Sequence, residues 1–265
     1  MSLRFGIATS DRVDIGTGTT LQSLSKRTIL LWVYPTAFTG GAGLWNKTDN
    51  ANGQNRIAVN DTIGNIRVNR GLLTPTSAIN YVTNNQPLRL YAWNCLAVTL
   101  FDVGTPKRCA IYIGDLLQPF RECTYGTATE GAGTTFNADT TTAPMIFGNV
   151  NVTGGYAAAF TGLIASGMVW NRILTFGELL RQQYAPNPHD FGCIAAFRFG
   201  YNAIGVQPDL SGNTNNGTIT GAKMAFDPVS VRPRDFWRFV TPPVVIAPTL
   251  MPWRLQGQMG GLIAQ

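Results

Sequence analysis

Charge is scarce in this chain. Asp, Glu, Lys and Arg together make up 13% of its 265 residues, and glutamate occurs only as Glu122, Glu130 and Glu178. There is one histidine, His189, and none of the four cysteines (Cys95, Cys109, Cys123, Cys193) forms a CxxC pair. No stretch approaches the roughly 20 consecutive apolar residues that a membrane-crossing helix needs. Each shortage excludes something. One histidine and unpaired cysteines leave no ordinary zinc site. His189 is followed by Asp190, but no G-x-S-x-G elbow exists, and Ser166 and Ser211 lack its context, so His189 reads as a turn residue. Glycoside hydrolysis needs two carboxylates flanking the scissile bond, roughly 5–9 Å apart. No glutamate here has an acid two positions away, Glu122 and Glu130 flank a loop, and Glu178 sits at a helix start. The expectation is a protein without enzymatic activity.

The net charge is +6. The positive residues are dispersed rather than striped, which argues against nucleic acid as a partner. The exception is a C-terminal group, Arg232, Arg234, Arg238 and Arg254, against Asp235. The N-terminus lacks a long apolar export core, so the expectation is a reduced protein made in a host cytoplasm, with no membrane partner. Cys95 and Cys109 lie in apolar strand patterns, where a thiol behaves as a small hydrophobe. The even cysteine count leaves a disulfide framework open.

Glycine (29) and proline (15) are plentiful, and Thr and Asn recur in clusters. Short strands joined by turns have that profile, and 265 residues suffice to bury a full core. Residues 3–15 alternate as an edge strand or hairpin. In TILLWVYP, Ile29, Leu31 and Val33 point one way and Leu30, Trp32 and Tyr34 the other, as in a central strand of a sheet covered on both faces, ended by Pro35. Residues 36–56 read as a polar loop, 56–60 and 66–70 as a hairpin turning at 61–65, and 71–87 as irregular. Strands follow in LRLYAWNCLAVTLF and KRCAIYI. Residues 124–144, poor in large apolar side chains, read as a surface loop. APMIFGNV and AAAFTGLIASGMVWN complete the strand set. Thr175 with Glu178 three residues later has the spacing of a capping box.

Several of these pieces carry a resemblance. Residues 160–180, FTGLIASGMVWNRILTFGELL, resemble the closing signature of laminin-G-like domains, F-x-G-x-I…V-x-N-R-x-L-[ST]-x-x-E-L. TILLWVYP, WNCLAVT and the strand 109–114 resemble that family's other strands. The segment 193–222, with D-L-S-G-N-T-N-N-G-T, resembles its strand–turn–strand unit, placed here after the helix instead of before the sandwich, and without the family's Glu. The resemblance implies an all-β, concanavalin A-like (laminin-G-like) antiparallel jelly-roll sandwich with one short helix, a fold used for binding and adhesion. The sandwich is expected over 1–228.

Residues 229–265 differ. Pro233, Pro242, Pro243, Pro248 and Pro252 interrupt any helix, while Phe236, Trp237, Phe239 and Trp253 make the segment too apolar for a solvated linker. An extended arm is expected, docking on its own sandwich or on a partner through Arg232, Phe236, Trp237, Phe239 and Trp253. Two further groups are candidates. Asp209, Ser211, Asn213 and Asn215 place oxygens at alternate positions, either as calcium ligands or as a turn whose side chains bond their own backbone. Trp45, Asp49, Asn52 and Tyr156 combine aromatic and polar groups suited to a sugar, although Trp45 also fits a core position. Together these features lead to the expectation of a virion structural protein, a capsid-decorating or tail-associated homo-oligomer that contacts other virion proteins through its arm. The alternative is a carbohydrate-binding or adhesion module, and a glycoside hydrolase ranks third.

Overall fold

The computed structural model describes residues 1–6, 8–22, 24–47, 55–72, 77–85, 87–101, 109–130, 143–152, 155–156, 158–200 and 205–226. The first strands along the chain are β1 (Ser2–Phe5), β2 (Arg12–Asp14), β3 (Arg27–Pro35), β4 (Gly43–Asn46), β5 (Asn55–Val59), β6 (Ile66–Leu72) and β7 (Ser77–Thr83). Then come β8 (Asn94–Leu100), β9 (Cys109–Gly114), β10 (Arg121–Glu122), β11 (Tyr125–Thr129), β12 (Ile146–Phe147), β13 (Asn151–Val152), β14 (Gly155–Tyr156) and β15 (Gly162–Trp170). After the helix α1 (Phe176–Tyr184) follow β16 (Cys193–Arg198), β17 (Val206–Gln207), β18 (Gly217–Thr220) and β19 (Lys223–Ala225).

Two antiparallel sheets result. The first runs β10-β9-β8-β3-β15-β1-β19, with β16 also paired to β15, and the second runs β11-β7-β6-β5-β4-β12-β2-β18-β17. β13 and β14 form a separate ribbon. Ile29, Leu31 and Val33 of β3 join Leu96, Val98, Trp45, Ile57, Val68 and Phe147 in the main core. Leu30 and Trp32 of the same strand enter a second cluster with Cys95, Met168, Trp170, Leu174 and Leu179. The first sheet is therefore buried on both faces, as the doubly apolar pattern of β3 predicts. Gly162, the glycine of the 160–180 signature, lets β15 approach β3: an added Cβ there would come within 2.3 Å of the Tyr34 carbonyl oxygen.

α1 covers the outer face of the first sheet. Gln183 ties it down, its Nε2 donating to the Asp115 and Gln118 carbonyls at 2.7 and 2.8 Å and its Oε1 accepting from Phe120 N at 2.9 Å. The capping box forms as its spacing predicts: Thr175 Oγ1 accepts from Glu178 N and Glu178 Oε2 from Thr175 N. Arg172 donates to both Glu178 oxygens. The Arg172 hydrogen bonds first, then those from Thr175, pull the Glu178 carboxyl down to about 2. A carboxyl depressed in the folded state stabilises the fold above its ordinary value near 4.5, and loses that contribution as pH falls towards 2. Glu178→Gln is therefore expected to flatten the fall in melting temperature across that window, and a profile parallel to wild type would show that the network adds nothing.

Four expectations need correction. Residues 3–15 are no hairpin: β1 lies between β15 and β19 in the first sheet, and β2 between β12 and β18 in the second. Both strands alternate, but each finds its partners far along the chain. The supposed polar loop 36–56 contains β4, whose Leu44 and Trp45 are core residues. The supposedly irregular 71–87 contains β7, where Ile79 and Tyr81 face inward on either side of Asn80. The surface loop 124–144 begins as β11, an edge strand mostly exposed to solvent. In each case cross-strand packing overrides a weak local signal. The cysteines Cys95, Cys109, Cys123 and Cys193 are all buried free thiols, and burial pushes Cys123 and Cys193 up to about 12.

Candidate functional site

The outer face of the second sheet carries the strongest concentration of unspent polar chemistry. Along a strand, side chains alternate faces, and cross-strand partners share one. Ile57, Val68, Ile79, Tyr81 and Val13 point into the core, so their neighbours Arg56, Asn69, Asn80 and Asp14 point out. Register then aligns a row across the sheet: Thr218 opposite Asp14, Asp14 opposite Ile146, Ile146 opposite Asn46, Asn46 opposite Arg56, Arg56 opposite Asn69, Asn69 opposite Asn80. Two residues along β6, Arg67 belongs to the same face.

Hydrogen bonds fix part of this row. Asn69 Nδ2 donates to Asn80 Oδ1 at 2.9 Å, and Arg56 Nε reaches Asn69 Oδ1 at 3.4 Å. Asn46 Oδ1 accepts from Asn151 N of the β13–β14 ribbon at 3.2 Å, which holds the ribbon beside the row. Asn46 is fully buried, and its Nδ2 has no acceptor. Arg67 Nε is likewise a buried donor without a partner. Burial and then the charge of Arg67 lower the Arg56 pKa from its ordinary value.

Of the two sugar-binding candidates among the described residues, Trp45 and Tyr156, it is Tyr156 that reaches this region. It pairs with Asn151 in the ribbon, and the Arg12 guanidinium lies 3.7 Å from its ring centroid, so one ring face is already covered. Trp45 is not available to a ligand: it is 0% exposed in the core, beneath Arg27 at 5.7 Å. The bulge between Gly43 and Trp45 turns its indole inward. Asp49 and Asn52 lie outside the described residues, as do the partner-binding candidates Arg232, Phe236, Trp237, Phe239 and Trp253.

The Asp209 loop forms a turn bonded to its own backbone. Asp209 Oδ1 accepts from Ala196 N and Ser211 N at 2.9 Å, and Oδ2 from Ser211 Oγ and Asn215 N at 2.9 and 3.0 Å. Asn213 donates to the Cys193 carbonyl, and Asn215 to the Ile194 carbonyl. These bonds clamp the loop onto β16 and account for the oxygen spacing without a cation. Among the described residues, no cluster of three His, Cys, Asp or Glu side chains could hold a metal. A shallow pocket of about 340 Å³ near Arg89, Asn94 and Arg121 has its Arg89 already paired with Asp115.

Sequence reasoning overlooked Arg56, Arg67, Asn69 and Asn80. For Arg56, Arg67 and Asn69 the signal was present in RIAVNDTIGNIRVNRG: once that segment is a hairpin over a core, its alternate polar positions must share the outer face.

No family model and no curated protein matches this chain. The structure is similar to a putative carbohydrate-binding protein from Bacteroides ovatus, with a TM-score of 0.60 and 17% identity over 87% of this chain. The chain covers 61% of that protein's length. It is also similar to the Ruminococcus gnavus IT-sialidase CBM40 (TM-score 0.48, 16% identity, 66% of this chain and 94% of that one). A third likeness is to a tailspike protein of an Escherichia coli O157:H7 bacteriophage (TM-score 0.46, 14% identity, 75% of this chain and 30% of that one). The fold is an all-β antiparallel jelly-roll sandwich of the lectin-like, concanavalin A-like kind, with one helix.

Proposed function

We propose that this chain is a carbohydrate-binding module whose ligand lies on the outer face of the second sheet. The observation that carries this reading is the row Asn46–Arg56–Asn69–Asn80. It sets planar amides and a guanidinium side by side, with Asn46, fully buried, holding the β13–β14 ribbon beside the row. Amides offer donor and acceptor together, which suits neighbouring sugar hydroxyls, and Tyr156 at the rim adds an aromatic surface. The likeness in fold to the Bacteroides ovatus protein supports the same reading. Binding without hydrolysis is part of the proposal. Glu130 is engaged by the Tyr81 hydroxyl, Glu178 caps α1, and Glu122 lies in the other sheet. Asp14 is thus left as the carboxylate of the row, and a glycosidase needs two.

The test is affinity electrophoresis of the full chain through gels containing a panel of neutral and acidic polysaccharides. At least one should retard the protein. Asn69→Ala should weaken that interaction about tenfold, equivalent to about 1.4 kcal/mol. Retardation by none, or by one that ignores Asn69→Ala, refutes the site.

A structural role in a virus particle is the second reading, and its footing is the apolar, proline-rich composition of 229–265. If that segment joins subunits, light scattering will give an oligomer for the full chain and a folded monomer after deletion of 232–265. Equal masses for the two chains refute it.

A further inference from the structure

Resting on the saccharide reading, we propose that Arg56 and Arg67 form a subsite for an anionic group on the ligand, a carboxylate or sulfate carried by an acidic saccharide. The two side chains occupy diagonal positions on neighbouring strands, since Arg56 faces Asn69 and Arg67 faces Ala58 in the β5–β6 ladder. Diagonal neighbours of this length reach one another. Both residues are partly buried. Neither makes an ion pair among the described residues, and the one hydrogen bond of the two guanidinium groups is the 3.4 Å contact from Arg56 to Asn69.

Two partly desolvated like charges with no counter-charge are unfavourable in the free protein. Among the described residues, the carboxylate that shares this row, Asp14, lies three strands from Arg56, about 14 Å at the usual strand spacing. That exceeds the screening length of about 8 Å at physiological ionic strength. Burial first, and then the nearby Arg67 charge, lower the Arg56 pKa from its ordinary value. An anion placed between the two removes the repulsion and accepts from both guanidinium forks, the geometry in which arginine binds carboxylate or sulfate best. Three other arginines are paired with carboxylates: Arg89 with Asp115, Arg172 with Glu178, Arg181 with Asp190.

Affinity electrophoresis of the full chain with polygalacturonate, dextran sulfate and a set of neutral polysaccharides at low and high salt tests this. One or both charged polymers should retard wild type. Arg67→Ala should weaken that retardation at least tenfold, and Arg67→Lys, which keeps the charge but loses the fork, should weaken it less. Retardation by polygalacturonate alone identifies a carboxylate subsite, by dextran sulfate alone a sulfate subsite, and by both a general anion subsite. Arg4→Ala, an exposed residue of the other sheet, removes the same charge and should change nothing. Melting curves check that the variants fold, and Arg67→Gln replaces Arg67→Ala if the latter does not. Equal loss in Arg4→Ala reduces the effect to net charge and overturns the subsite. Neutral polysaccharides bound equally by wild type and Arg67→Ala, with no charged polymer bound, overturn it while leaving the saccharide reading intact. Binding of no polysaccharide overturns both.

Discussion

Trp45→Ala is expected to destabilise the protein by about 3–5 kcal/mol, the range for truncating a large buried aromatic. The indole is fully buried among Ile57, Val68 and Phe147, and Arg27 lies above its ring. Truncation opens a cavity on the inner face of the second sheet and strips one wall from a buried guanidinium. Urea unfolding is the measurement. Trp45→Phe should lose less, because it restores much of the volume and removes an indole N–H that has no partner in the fold. The variant also separates two roles of one residue. If Trp45→Ala keeps wild-type stability and loses only saccharide binding, Trp45 is a ligand platform and the packing described for β4 is wrong.

Asp209→Ala should cost about 3 kcal/mol. Its carboxylate accepts four hydrogen bonds, three from backbone N–H groups on β16 and the following turn. Bonds to a charged acceptor contribute about 1.5–3 kcal/mol each, and partial exposure of the loop lets water replace some of them. Ala196 is fully buried, and its N–H lies on the edge of β16 that pairs with no other strand, so Asp209 has no ready substitute there and this loss dominates. The decisive comparison is the melting temperature of wild type in excess calcium and in chelator. A turn built from its own donors gives the same wild-type value in both, and the same deficit for Asp209→Ala in both. A wild-type melting temperature that rises with calcium and falls with chelator, with the difference abolished in Asp209→Ala, would make the loop a cation site instead.

Much of the sandwich was legible because it is written locally. The doubly apolar run of β3, the Thr175–Glu178 pair and the D-x-S-G-N turn each state their structure within a few residues. The strands that were missed have a common cause. In β7, Ile79 and Tyr81 alternate with Ala78, Asn80 and Val82, with Asn80 breaking the apolar run; in β11 the side chains are almost all small and polar. Neither is apolar enough to announce a strand. Both form because a neighbouring strand presents unpaired backbone groups and, for β7, a core to cover. The candidate site failed to appear for a related reason. Arg56 and Asn69 share one legible hairpin, but Asn46 and Asn80 come from strands on either side of it, and nothing in their sequence contexts places them beside it.

What the sequence alone determined is therefore the class of fold, the two-sided burial of β3, the helix cap and the poverty of catalytic groups. Each follows from periodicity, capping chemistry or composition, which act over short stretches of chain. Which polar residues share a face, and which aromatics are spent in the core, is settled by the packing of distant strands. Antiparallel register sets both. A one-residue slip sends a side chain to the opposite face, and the bulge beside Trp45 shows a single irregularity moving an aromatic from a possible ligand surface into the interior.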